Sequence, residues 1–271
     1  MVCNEWGTSH LIKINKYYYC PILTFLVWRI TSGLYFDLVD DKAFGDPFGF
    51  AFQDYVQEVS NKILNSKITS VIPEHEYFIN KERKNSVDII LLQKDACFFV
   101  EAKAKRMQSK SKIQLLSNDA IEKDLNIIAT GIVQTYKTIN HYRNGYYPNL
   151  SYSRKRKVFP LIVTLEDWFL MGDHNISIKE KVKTKLVEES LPESFLNEMP
   201  YSICSMQNYE HLVQILNSHS IREIMSGWFI PEKEDHNFGQ YLISRFNEEY
   251  KPIDHFFPGD FEKIFPDGLI G

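Results

Sequence analysis

Cysteine is scarce and scattered in this 271-residue sequence: Cys3, Cys20, Cys97 and Cys204 form no CxxC pair. That excludes a disulfide framework or a ribbon-type zinc site and suits reduced thiols in a cytoplasmic protein. Surplus positive charge is also missing, with 31 Lys and Arg against 35 Asp and Glu, a net of −4. A uniformly basic coat is thereby excluded, so a nucleic-acid partner would be held by local patches. Long apolar runs are absent too. The stretch Tyr18–Trp28 contains Pro21 and is closed by Arg29, and it is shorter than the roughly 20 apolar residues of a membrane span. No small-residue cleavage site follows it, so it reads as a buried segment packing on the core, within an N-terminal unit of residues 1–45, and not as a secretory signal. The motifs GxxxxGK[ST] and GxGxxG and the serine-hydrolase elbow are missing, which removes the P-loop, dinucleotide and serine-nucleophile chemistries.

Hydrophobic side chains are 44% and aromatics 14% of the chain, enough for a sizeable core. Asp46-Pro47 reads as an N-cap followed by proline, with Phe48, Phe52, Tyr55, Val56, Val59 and Ile63 behind it at helical spacing. Val71–Tyr77 reads as a strand edged by Pro73. Val87–Leu92 and Ala96–Lys103 read as a hairpin turning at Lys94-Asp95. Ile121, Leu125, Ile128, Ile132, Ile139 and Tyr142 mark a long amphipathic helix ending near Gly145, and Phe159–Thr164 a further strand. From about Asn175 the pattern turns helical and charged. The order predicts an α/β (α+β) core, residues 46–172, with a mixed central sheet flanked by helices, and a mainly helical C-terminal extension over 173–271.

Acidic-x-Lys triplets occur at Asp40-Asp41-Lys42, Glu82-Arg83-Lys84, Glu101-Ala102-Lys103 and Glu249-Tyr250-Lys251. Only the third ends an apolar strand. Alternation puts Phe99, Glu101 and Lys103 on one face. Charges at the end of a buried run carry a desolvation penalty unless they are paired or bind a cation. The hairpin brings Asp88 beside Glu101, and two carboxylates that close repel unless a proton or cation lies between them. Mg²⁺ answers this chemistry, taking one or two carboxylates, waters and a carbonyl such as that of Ala102. Lys103 then stands where it can orient a water or offset charge developing on phosphorus.

Ser86-Val87-Asp88-Ile89-Ile90 followed by Val100-Glu101-Ala102-Lys103 resembles the PD-(D/E)xK nuclease superfamily, the restriction-endonuclease-like fold, with Val87 in place of the proline. The resemblance implies that Asp88 and Glu101 bind Mg²⁺ or Mn²⁺ and that Lys103 assists catalysis. Two flanking features extend it. Gly49-Phe50-Ala51-Phe52-Gln53 is similar to the family's upstream helix motif, with Gln53 where the family has an acid; Glu58, Glu74 and Glu76 are candidates for the missing charge. Gln134 matches a glutamine that many members carry on the helix after the motif strand. The implied activity is phosphodiester hydrolysis in DNA, as in restriction, phage defence or repair. The alternative is a nuclease-fold binding or assembly module without cleavage. The DNA would meet Lys105 and Arg106 in one basic stretch and Arg154 and Arg156 in another. A second copy of the chain or a partner protein is an assembly the resemblance allows; a membrane is not an expected partner. His141 lies on the Gln134 face but reads as an ordinary surface residue, and Trp168 as a core residue.

Overall fold

The computed structural model describes residues 11–24, 26, 32–38, 41–105, 118–168, 172–229 and 237–249. Its centre is a mixed five-stranded sheet flanked by helices. In chain order the elements are β1 (Ile12–Ile14), β2 (Tyr17–Tyr19), α1 (Ser32–Leu38), α2 (Lys42–Ile63), β3 (Ser70–Pro73), β4 (Glu76–Ile79), β5 (Glu82–Asn85), β6 (Ile89–Leu92) and β7 (Ala96–Lys103). Then follow α3 (Asn118–Arg143), β8 (Lys157–Thr164), α4 (Asp173–Glu188), α5 (Phe195–Glu198), β9 (Ser202–Ser205), α6 (Met206–Ile215), α7 (Ile221–Trp228) and α8 (Phe238–Arg245). The central sheet runs β3-β6-β7-β8-β9. Its β3-β6 and β6-β7 pairs are antiparallel, and its β7-β8 and β8-β9 pairs parallel.

Period-two alternation sends the β7 side chains into two cores. Phe98 and Val100 pack with Phe52, Val56 and Val59 of α2 and with α6, α7 and α8. Cys97 and Phe99 pack with Leu125, Ile128, Ile132 and Ile139 of α3 and with Ile178, Val182 and Leu186 of α4. Phe98 and Phe99 are wholly buried, and truncating either to Ala would cost about 3–5 kcal/mol. The expected hairpin forms with the predicted turn: the Gln93 N–H donates to the Ala96 carbonyl at 2.9 Å. The long helix also ends as expected, with Gly145 at φ +80°, a left-handed conformation that glycine supplies without strain.

Four expectations need correction. The helix expected behind Asp46-Pro47 is α2, and it starts at Lys42, because the Asp41 side chain accepts from the Ala43 N–H at 2.9 Å and caps it. Pro47 lies inside that helix, where the carbonyl it leaves unbonded belongs to Ala43, an exposed residue that water can serve. The strand expected over Val71–Tyr77 is two strands: β3 stops at Pro73, which cannot donate to a ladder, and β4 leaves to pair with β5. Asn80 and Lys81, at φ +48° and +70°, make the tight turn between β4 and β5.

The N-terminal unit packs only in part. Tyr35 of α1 is buried, but the aromatic and aliphatic side chains of β1 and β2 are exposed. Among the described residues these three-residue strands pair only with each other and have no layer to bury against. Finally, the C-terminal region is mostly helical but no mere extension, since β9 is the fifth strand of the sheet and α4 packs on α3. Ser-Ile-Cys-Ser is too short for its alternation to announce a strand.

Candidate active site

The β6-β7 register pairs Ile89 with Val100, so the next step outward sets Asp88 opposite Glu101. The Asp88 carboxylate is drawn in by the backbone: its Oδ2 accepts from the Ala102 N–H at 2.6 Å. Burial, then the neighbouring Glu101 carboxylate, push the Asp88 carboxyl up to about 7; the Ala102 N–H and the Lys103 charge oppose the rise, and Glu74 adds a little to it. Burial and a like charge both disfavour the ionised form.

Lys103 lies over this pair. Its Nζ donates to Glu101 Oε1 at 2.7 Å and reaches Gln134 Oε1 at a long 3.5 Å. Neither partner of the ion pair is freely exposed, the side chains being 26% and 16% accessible for Lys103 and Glu101. The ammonium is placed by packing as well as by charge. Gly131 of α3 lies beside it, and a Cβ at that position would stand 3.0 Å from Lys103 Cε. Gly131 and Gln134 are three residues apart, hence on one helix face, and that face meets the end of β7.

Gln53 of α2 donates through Nε2 to Glu74 Oε2 at 3.2 Å. The break after β3 is what frees Glu74 to turn this way. Of the three acids considered as the missing charge, Glu74 is the one whose field reaches Asp88. Glu58 pairs with Lys62 at 2.8 Å and Glu76 with Arg83. The glutamine of α2 thus positions a carboxylate instead of supplying one.

The site lies where Lys103, Thr164 and Ser205 align at the carboxyl ends of the three parallel strands, the usual place for a ligand in an open α/β sheet. Its donors are all oxygen: two carboxylates and, because N–H and C=O of a strand residue face the same edge, the Ala102 carbonyl on the Asp88 side. Such donors suit a hard divalent cation. Among the described residues no group of three or more His, Cys, Asp or Glu forms a ready metal cage, so waters would complete a coordination sphere here.

The other predicted residues separate. Lys105 follows β7 and is half-buried; Arg106 lies outside the described residues. Arg154 is exposed. Arg156 donates to the Tyr142 hydroxyl at 3.1 Å and approaches the Ser151 carbonyl at 3.5 Å, so it braces a loop. Both arginines precede Lys157, which pairs with Ala96 at the far end of β7, about 23 Å from Lys103 at the usual rise per strand residue. The structure does not bring that basic run to the carboxylates. His141 is not an ordinary surface residue: its Nδ1 lies 2.7 Å from the Tyr77 hydroxyl, and burial pulls its pKa down. Trp168 is buried in the core. The signal that would have singled out Gly131, a glycine facing a strand-end lysine, needs the tertiary fold to be read.

No family model matches the sequence, and no curated protein matches it. Among solved structures the chain is similar to the small subunit of a heterodimeric restriction endonuclease, at 10% identity and a TM-score of 0.33, over 74% of this chain and 90% of that one. Among the described residues no helix is long and apolar enough to cross a membrane.

Proposed function

We propose that this chain is a divalent-metal-dependent nuclease of the PD-(D/E)xK type that hydrolyses phosphodiester bonds in DNA. The observation that carries the reading is Asp88, held by the Ala102 N–H beside Glu101 with Lys103 over the pair. A fold gains no stability from two carboxylates pressed together in a partly dry site. They make sense as ligands.

Asp88, Glu101 and the Ala102 carbonyl would hold Mg²⁺ or Mn²⁺, which when bound lowers the pKa of a water and polarises a phosphoryl oxygen. The chain's own contribution is positional. Lys103, released from Glu101, would place its ammonium against the attacking water or the charge growing on the phosphoryl oxygens. Gln134 would orient that ammonium, and Gln53 keeps Glu74 turned toward the site to accept a water proton. The carboxylate that Gln53 recruits favours cleavage over a binding-only module.

The test is incubation of the purified chain with supercoiled plasmid, linear duplex and single-stranded DNA in Mg²⁺ or Mn²⁺, beside Asp88→Asn. Metal-dependent cleavage by the parent and none by the variant supports the reading. Equal cleavage by both, or none by the parent under any of these conditions, overturns it. Calorimetric titration with Mn²⁺ gives an independent readout: a site in the parent should vanish in Asp88→Asn.

A further inference from the structure

The β1-β2 hairpin has a surface that folding does not explain. Ile12 pairs with Tyr19 and Ile14 with Tyr17, placing those four side chains on one face, while Lys13 pairs with Tyr18 on the other. All three tyrosines are exposed, at 57%, 63% and 50% for Tyr17, Tyr18 and Tyr19. The lysine ammoniums lie over these rings, Lys13 at 5.5 Å from the Tyr18 centroid and Lys16 at 5.4 Å from that of Tyr17. Asn15, at φ +56°, closes the tight turn between them. An aromatic ribbon edged with cations is costly to leave in water and marks an interaction surface.

Charge names the partner. From Trp6 to Phe36 the sequence holds no Asp or Glu, but does hold Lys13, Lys16 and Arg29, in a chain whose net charge is −4. This segment is a local basic zone on an acidic protein, complementary to a polyanion. The shape agrees, since the major groove of duplex DNA admits a two-stranded β-ribbon. The chain leads back to the carboxylates: in α1, the next element with a stated range, the Tyr35 hydroxyl donates to the Ala104 carbonyl at 3.2 Å, one residue past Lys103. Sixteen residue steps separate Tyr19 from Tyr35, which bounds their distance at about 55 Å, so the ribbon is tethered within reach of a duplex lying at the site.

We infer that the β1-β2 hairpin is a duplex-DNA contact, with Lys13 and Lys16 on phosphates and the tyrosines against sugars and base edges. This rests on the nuclease reading for its substrate but not for its assay. The experiment is fluorescence anisotropy with a labelled 20-base-pair duplex in EDTA, across a salt series. It compares the parent, Lys13→Gln/Lys16→Gln, Tyr17→Ser/Tyr18→Ser and Asp88→Asn. Because the replaced side chains of the hairpin are exposed, both hairpin variants should unfold at temperatures close to the parent's.

The lysine pair should weaken binding about tenfold near 0.15 M salt and reduce the salt slope by about 1.8, two phosphate contacts' worth. The tyrosine pair should weaken binding and leave the slope unchanged. Asp88→Asn should bind at least as tightly as the parent. Unchanged affinity in both hairpin variants overturns the inference while leaving the nuclease reading intact. The inference also fails if both variants keep DNA affinity but lose binding to vesicles of 70% phosphatidylcholine and 30% phosphatidylglycerol. Absence of duplex binding in the parent overturns the inference, and only a separate failure to cleave overturns the nuclease reading.

Discussion

Two places in this molecule put a pair of carboxylates around one basic group, with opposite consequences. At the end of β7, Asp88 and Glu101 share Lys103. Near the end of the described chain, Glu223 and Glu249 hold His219 from both ring nitrogens, at 2.9 and 2.7 Å. There the charges satisfy one another: Glu249 raises the His219 pKa, with Glu223 adding to the rise, and the His219 hydrogen bond lowers that of Glu249. At the strand end the result is frustration, since burial and Glu101 push Asp88 up to about 7. The composition of the two clusters is nearly the same. What differs is desolvation, and a cluster that resists its own charge is the one to suspect of function.

The largest effect that would break this comparison is at Lys103. As a merely structural, half-buried ion pair it would affect stability and not rate, so Lys103→Ala would cleave as fast as the parent. As a group acting in the transition state, its loss should slow cleavage by about 10²–10³ while the melting temperature stays near the parent's. Lys103→Arg should also be slow, a guanidinium neither yielding its proton nor fitting the compact position of an ammonium. Full cleavage by Lys103→Ala would equate the two clusters.

Gly131→Ala probes the same lysine from the helix side. Alanine is the better helix former by about 1 kcal/mol, so stability should hold or rise. The new Cβ, however, meets Lys103 Cε at 3.0 Å. A shift of a few tenths of an ångström should lower cleavage about tenfold, less than the roughly hundredfold of a 1 Å displacement. Undiminished kcat with higher stability would show that the close approach has no catalytic meaning.

Proton linkage sharpens the contrast without any substrate. The Asp88 carboxyl has its folded pKa near 7 and its ordinary value at 3.8. Between those pH values the folded state binds more protons, so this group's contribution to stability declines as pH rises from about 4 to 7. In EDTA, Asp88→Asn should therefore melt higher than the parent at pH 8 and close to it at pH 4. A variant less stable than the parent at pH 8 would mean the carboxylate is welcome where it sits.

His219 should behave the other way and more weakly. Its folded pKa is raised, so its stabilisation is complete below the ordinary histidine value of about 6.5 and disappears as pH climbs through the folded pKa. His219→Gln should lower Tm at pH 6 and by progressively less as pH rises. A pH-independent loss would point to packing against Phe246, whose ring lies 4.8 Å from the imidazole.

Much of the geometry of the candidate site was legible in the sequence because its parts are local. Asp88 and Glu101 sit on two arms of one hairpin, and period-two alternation puts Glu101 and Lys103 on one face; both follow from spacing. Gln134 was legible only through the resemblance, as a glutamine on the helix after the motif strand. Glu74 was named only among several acids, since its choice depended on where β3 breaks and on Gln53 turning to hold it. The basic run at Arg154 and Arg156 looked equivalent to the one after Lys103, because nothing in a linear charge pattern tells one end of a strand from the other.

Of the apolar stretch Tyr18–Trp28, Phe25, Val27 and Trp28 lie outside the described residues, and the part that is described is mostly exposed. Hydrophobic content argues for burial, but burial needs a layer to pack against, and two three-residue strands do not find one here. By itself the sequence determined the hairpin, the long helices, and the pairing of two acids with a lysine, all set by periodicity over a few residues. Tertiary structure alone decided that β9 closes the sheet from a distant segment, that Gly131 makes room for Lys103, and that Asp88 is desolvated beside Glu101. Those depend on which surfaces exclude water once remote elements meet, and no local pattern encodes that.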